Sequence, residues 1–260
     1  MQILILTQRE NLYLPNAIGK VCQAVGSDVA CIVTAPAMST HGGPLKGVVR
    51  HLALFGLLDS ARMALRIAMA KCRDVVTRPM PQGPFHSIRA VAKAFELPYH
   101  HVDGLGSPEF QALIERYEPG LLISMSCPQI IRRKIREQMP LGCINVHGAP
   151  LPRYRGLMPA FWALKNGETE TATTVHDLAA KLDDGAILKQ KAVAIAPDDT
   201  WDSLVRKTKS AGADALIETI EEIRQDTVQR RPNPEDEATY FSFPTAADRK
   251  AFRAAGRRFL

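Results

Sequence analysis

The segment Cys143–Gly156, CINVHGAPLPRYRG, carries the strongest chemical signal in the chain. Residues 142–147 read as a buried strand, and strand alternation sets Asn145 and His147 on one face. Open α/β sheets place their ligands at the carboxyl ends of such strands. Pro150 and Pro152 restrict the loop that follows, Arg153 and Arg155 charge it, and Gly156 ends it. Another 36 residues beyond His147, LDDGAIL carries Asp183 and Asp184 on a turn between two extended segments. An amide can donate to a developing oxyanion, an imidazole can move a proton near neutral pH, and a carboxylate can hold the imidazole's tautomer. That set suits acyl transfer without a covalent intermediate. Taken alone, His147 would read as a buried structural histidine.

Other signals are weak. Gly104-Leu105-Gly106 is half of a dinucleotide fingerprint, without its third glycine or an acidic partner. Neither a phosphate-binding G-x-x-x-x-G-K-[ST] nor a G-x-S-x-G nucleophile elbow occurs. His100 and His101 are adjacent on one strand, so they point to opposite faces and cannot share a metal. Cys127 has no His or Asp spaced to activate it. The five cysteines, Cys22, Cys31, Cys72, Cys127 and Cys143, form no C-x-x-C and indicate a reduced protein without a disulfide framework or zinc knuckle. No metal is expected.

The elements that must hold the site alternate. Strands at Gln2–Thr7, Asp28–Thr34, Tyr99–Val102, Gly120–Met125 and Gly142–His147 are separated by helical stretches at Pro15–Val25, Ser87–Glu96, Pro108–Tyr117 and Pro128–Glu137. This pattern predicts an α/β fold with a doubly wound, mostly parallel sheet. Extended segments at Glu170–Leu178 and Ala186–Ile195 follow, then a long helix over Thr200–Arg224 that opens on the cap candidates Asp198-Asp199-Thr200. The tail passes through a proline-broken connector, a short aromatic strand near Thr239–Phe243 and a small basic helix at Ala246–Phe259. We expect a catalytic unit at 1–197 and a helix and small helix/strand extension at 198–260 packing on it.

Residues 38–86 form an insertion too long for an ordinary connection. Leu54, Leu58, Leu65 and Met69, widened by Phe55, Leu57 and Ile67, predict an inserted helix buried on the body or at a subunit interface; a membrane-surface helix is the sharper alternative. Much of the formal net charge of +6 sits there: residues 38–82 hold seven Lys/Arg against Asp59 and Asp74, a local net of +5. A basic segment points to an anionic partner or to a solvated helix face. The composition is that of an ordinary globular chain, 46% hydrophobic and 23% charged over 260 residues, and no apolar run is long enough to cross a bilayer. The opening MQILILTQREN reads as a strand rather than a secretory signal, so a cytoplasmic location is expected.

The linked motifs N-V-H-G-x-x-L-P-R-Y-R-G, P-A-F-W-A-L-K-N-G-E-T-E-T (Pro159–Thr171) and L-D-D-G-A-I-L resemble the folate-dependent formyltransferases, whose members act on glycinamide ribonucleotide, methionyl-tRNA or sugar nucleotides. The resemblance runs from about Gly120 to Asp202. It implies a Rossmann-like core, N10-formyltetrahydrofolate as formyl donor and co-substrate, and a primary amine as acceptor. By position it implies Asn145, His147 and Asp183 as the catalytic trio, with Asp183 rather than Asp184 at the D-x-G position. It places the folate against Ser126, Cys127 and Pro128 and against the turn at Lys181 and Leu182. The chain departs from the common family pattern at Gly148-Ala149, where Pro-Ser often stands, and in this it is similar to the formyltransferase for UDP-4-amino-4-deoxyarabinose.

The acceptor expected from these departures is a nucleotide-linked 4-amino-4-deoxy sugar, as in lipopolysaccharide or O-antigen sugar synthesis. Arg9, Arg153, Tyr154 and Arg155 are the candidate substrate contacts, with Lys46 nearby. Only about 60 residues follow the last sheet segment, too few after the long helix for a five-stranded RNA-holding barrel, and the loop Thr7–Asn11 lacks the glycines of a phosphate loop. Both points count against nucleic acid and glycinamide ribonucleotide. A methionyl-tRNA or other amine formyltransferase is the alternative enzyme, and a formyl-folate-binding regulatory protein the non-enzyme alternative. A homodimer is compatible with the sequence.

Overall fold

A computed structural model describes residues 1–36 and 44–260. Residues 38–43 of the insertion, and the side chain of Lys46, lie outside the described residues.

β1 (Ile3–Gln8), β2 (Val29–Ala35), β3 (Tyr99–His101), β4 (Leu121–Met125) and β5 (Cys143–His147) form the parallel part of a seven-stranded sheet, completed by antiparallel β7 (Glu170–Asp177) and β8 (Ile187–Ala194) in the order β3-β2-β1-β4-β5-β7-β8. The fold is thus the mostly parallel α/β type that the alternation predicts. β1 and β4 are apolar runs buried on both faces, because helices cover both sides of the sheet. On one side α1 (Leu14–Val25), α3 (Ile88–Ala94) and α7 (Trp201–Arg224) bury Ile3, Ile5, Ile123 and Ile144. On the other, α4 (Pro108–Tyr117) and the short α5 (Arg133–Arg136) cover Leu4, Leu6 and Leu122.

Local chemistry sets several boundaries. Ser87, Ser107 and Thr200 cap α3, α4 and α7 with side-chain oxygens, and Ser203 answers Thr200 in a capping box. The helix expected at Pro128–Glu137 is only the single turn α5. Its first half is a loop instead, in which the Gln129 side chain accepts the Leu105 N–H (3.0 Å).

A third cluster lies under α6 (Pro159–Lys165) and α8 (Ala246–Ala254), where Phe161, Phe252 and Phe259 are fully buried and Phe161 stacks on the other two. The predicted basic helix therefore stops at Ala254, and Phe259 returns to the core. The insertion does contain a helix, α2 (Pro44–Val76), but Gly56 breaks it at φ 77° and ψ 171°. That break rotates the second half. Leu54 and Phe55 are buried, whereas Leu58, Leu65 and Met69, expected on the same face, are exposed.

The tail is more than a connector. β9 (Tyr240–Phe241) pairs with β6 (Arg155–Gly156), Arg231 bridges Ile187, and Phe241 stacks on Tyr154 and Trp162.

Candidate active site

Pairing between strands assembles the site. β5 ends on His147, beside the end of β4, and the antiparallel register of β5 and β7 sets Asn145 directly opposite His176. Directly opposed side chains share a face. The Nδ1–H of His176 donates to the Asp177 carbonyl (2.9 Å), which leaves Nε2 to accept the Asn145 amide (3.1 Å). The Nε2–H of His147 donates to the Tyr154 carbonyl at 2.8 Å.

The turn after β7 brings Asp183 between the two imidazoles. Its carboxylate lies 3.5 Å from His147 Nδ1 and 3.6 Å from His176 Nε2, and it accepts the Gly156 N–H at 2.9 Å. Asn145, His176, Asp183 and His147 therefore form one connected group, though far apart in sequence. His147, His176 and Asp183 are all buried, and Asn145 is half-buried.

Ser126, Tyr154 and Asp183 all adopt left-handed backbone conformations, with φ of 57°, 62° and 53°. Such conformations cost a non-glycine residue energy and persist where the surroundings enforce them. Here the Asn233 amide donates to the carbonyls of Asp183 (3.0 Å) and Gly185 (2.9 Å), so the tail clamps the turn that carries the acid.

The protonation pattern follows from burial and neighbours. Burial opposes the Asp183 carboxylate, but the charge that His147 carries when protonated and the hydrogen bond from the Gly156 N–H outweigh it and hold its pKa down to about 2. Burial pushes the His147 imidazole below its ordinary value; the Asp183 charge pulls the other way, and the charges of His176 and Lys209 add to the lowering. At neutral pH the pair thus holds one negative charge on the carboxylate, with His147 Nδ1 unprotonated beside it. That Nδ1 edge is the vacant proton position of the site.

Two further residues had no sequence signal strong enough to find them. Lys209 extends a half-buried side chain from α7 to donate to Ser126 Oγ (2.6 Å). Burial pushes its ammonium pKa down. Lys209→Met is expected to raise the His147 pKa, because a repelling charge is lost. Imidazole titration by NMR reads this, and an unchanged or lower value would refute the electrostatic link.

Glu10 is the second. Its carboxylate accepts the N–H groups of Leu12 (2.5 Å), Tyr13 (2.8 Å) and Leu14 (2.7 Å), occupying the start of α1 where an anionic ligand would otherwise sit.

The expected substrate contacts divide. Arg155 is a correction: its guanidinium is 4% exposed and is held by Asp184 (2.8 Å), Glu235 (2.5 Å) and Asn233, so it braces the loop instead of reaching toward a phosphate. Tyr154 is likewise a bracing residue, since its ring is buried and its hydroxyl donates to Glu168 (2.6 Å). Arg153 is exposed, 3.7 Å from Glu168, and Arg9 is exposed beyond the end of β1.

Of the expected folate contacts, Ser126 receives the Lys209 hydrogen bond and Pro128 is half-buried. Burial pushes the Cys127 thiol up to about 11, which removes it as a nucleophile. Leu182 is 48% exposed beside Asp183, and Lys181 is exposed, 3.5 Å from Glu235. No group of residues able to hold a metal ion occurs among the described residues.

The family described as Formyl transferase matches residues 68–220. Methionyl-tRNA formyltransferase of Acetivibrio thermocellus is 38% identical over 134 residues, covering 52% of this chain and 43% of that protein. The corresponding protein of Desulfotalea psychrophila is 32% identical over 198 residues, covering 73% of this chain and 61% of its own length. The chain spans about half the length of the curated relatives it matches. Among solved structures, phosphoribosylglycinamide formyltransferase from Anaplasma phagocytophilum superposes with a TM-score of 0.61 at 17% identity, covering 93% of this chain and 98% of that one. WlaRD, a sugar 3N-formyl transferase, superposes at 0.58 and 15% identity, covering 93% and 69%. At these identities the structures speak for a shared fold.

Proposed function

Since this chain belongs to the folate-dependent formyltransferase family, we propose that it moves a formyl group from N10-formyltetrahydrofolate to the primary amine of a nucleotide-linked 4-amino-4-deoxy sugar. The observation that carries the transfer chemistry is the connected group Asn145–His176–Asp183–His147 at the end of β5.

The donor supplies an activated formyl carbon and a nitrogen leaving group. Residues suited to receive it are present: Leu182 offers exposed apolar surface for a flat ring, and the backbone at Lys181–Asp183 offers polar groups for its edge. Asn145 spends one amide N–H on His176 and keeps a second for the charge that develops on the formyl oxygen. As the acceptor nitrogen bonds to carbon it becomes an ammonium, and the His147 Nδ1–Asp183 edge takes its proton, directly or through a water. The resulting imidazolium supports the oxyanion. Its proton then passes to the leaving nitrogen as the old carbon–nitrogen bond breaks. The Gly156 N–H and the Asn233 amide hold Asp183 in place throughout.

The acceptor reading rests on Gly148-Ala149 and on the start of α1, where Glu10 leaves no room for the phosphate of a small phosphoribosyl amine. Arg9, Arg153 and Lys209 remain as cations for a pyrophosphate. The second reading, methionyl-tRNA, is favoured by what the sequence relatives act on. Incubation with formyl-folate and, separately, aminosugar nucleotides, methionyl-tRNA and glycinamide ribonucleotide separates the two. Formylation of an aminosugar nucleotide is expected. Formylation of only the other two acceptors would overturn the sugar, and no formylation of any would overturn the transfer itself.

A further inference from the structure

Beyond its break at Gly56, α2 is inverted. The face turned to the body is partly polar: Asp59 and Ser60 are buried there with Met63 and Ala70, and Arg66 and Asp74 are half-buried. The face turned to water is apolar. Leu57, Leu58, Leu65, Met69, Val75 and Val76 recur at helical spacing along it, with Leu57 80% and Val75 85% exposed, and the small residues Ala61, Ala64, Ala68 and Cys72 fill the stripe between them. Folding ordinarily turns the apolar stripe of a helix inward, and a contiguous exposed one marks a docking surface.

The charges beside the stripe identify what it docks on. Exposed Arg62 and Arg73 border one edge and exposed Lys71 the other. At the Gly56 break, a groove of about 560 Å³ between α2 and α8 has Phe55 and Leu58 in its walls and Arg249 and Lys250 around it, while Arg62 and Arg253 pair with Asp59 inside it (3.4 and 2.6 Å). An apolar stripe about 30 Å long with basic borders is the form of a helix that lies in the interface of a bilayer. No described helix is long and apolar enough to cross one. A nucleic acid would satisfy the arginines but leave Leu57 and Val75 in water. A second copy packed stripe to stripe would set borders of like charge together.

We propose that the Leu57–Val76 half of α2 seats this protein on an anionic phospholipid surface, with the apolar stripe inserted and the basic borders on the headgroups. The proposal is independent of the identity of the acceptor.

Flotation of the full chain with vesicles tests it, using equal parts phosphatidylglycerol and phosphatidylcholine against phosphatidylcholine alone. Binding to the anionic vesicles is expected, weakening with salt and on the neutral vesicles. Leu65→Asp with Val75→Asp is expected to weaken binding roughly tenfold or more, and Lys71→Glu with Arg73→Glu to weaken it as well. All four positions are exposed, and thermal unfolding verifies that the variants fold. Absence of binding to anionic vesicles would overturn the proposal, and so would binding unaffected by the aspartates. A dimer dissociated by the aspartates with no lipid binding would assign the stripe to a second copy; tRNA binding with no lipid binding would assign it to nucleic acid. Either result overturns the bilayer.

Discussion

Asp183→Asn is expected to lower kcat at least about 100-fold while changing KM little. The substitution is nearly isosteric. Its side-chain oxygen can still accept the Gly156 N–H that anchors the native carboxylate at 2.9 Å, so the turn should survive. What disappears is the negative charge facing His147 Nδ1 at 3.5 Å. Without it, burial opposes any proton on that imidazole, and the ammonium formed by attack has no acceptor of matching charge. A kcat within tenfold of the native value would reject the role assigned to Asp183.

The same variant carries a second reading that does not depend on activity. The native carboxylate has a pKa of about 2, below its ordinary 3.8, so at intermediate pH the unfolded chain binds more protons there than the folded one. Its stabilisation is therefore present above about pH 4 and is lost as pH falls toward 2; a shift of this size corresponds to about 2 kcal/mol. Stability measured between pH 5 and pH 2 should fall less steeply in Asp183→Asn than in the native chain.

Gly185→Ala is expected to destabilise the protein by about 3 kcal/mol or more, a fall in Tm of roughly 6–12 °C for a chain of this length. A Cβ at this position would stand 1.8 Å from the Asp177 carbonyl oxygen. That neighbour is backbone and cannot swing aside. The Asp177 N–H is itself paired to the Ala186 carbonyl at 2.9 Å, so the clash falls on the closing end of the β7–β8 hairpin. The turn that holds Asp183 must move with it, and activity should be lost together with stability. A Tm within about 2 °C of native would show that the turn closes less tightly than described.

The alternation of apolar runs with helical periods, read along the chain, was enough to establish the mostly parallel sheet. That holds because parallel strands are buried on both faces and leave unbroken runs such as Ile3–Leu6 and Leu121–Ile123. Helix starts were legible where a capping side chain marks them, as at Thr200, and not at residues 128–132, where the Gln129 side chain bonds a distant backbone. Asn145 and His147 could be placed on one face because a strand fixes its own alternation.

His176 could not be found that way, because its place opposite Asn145 depends on the register of two strands separated by a loop and a helix. Nor could the fate of the basic residues be read from their type. Arg155 and Arg153 are two positions apart in one loop, yet folding buries the first among Asp184, Glu235 and Asn233 and leaves the second exposed. The direction faced by α2 turned on one left-handed glycine, Gly56, which rotates everything after it. Short-range order thus supplied the strands, the caps and the identity of the reactive groups. Which of those groups meet, and which charges are neutralised within the chain, was decided by contacts between segments tens of residues apart, whose energies no local pattern encodes.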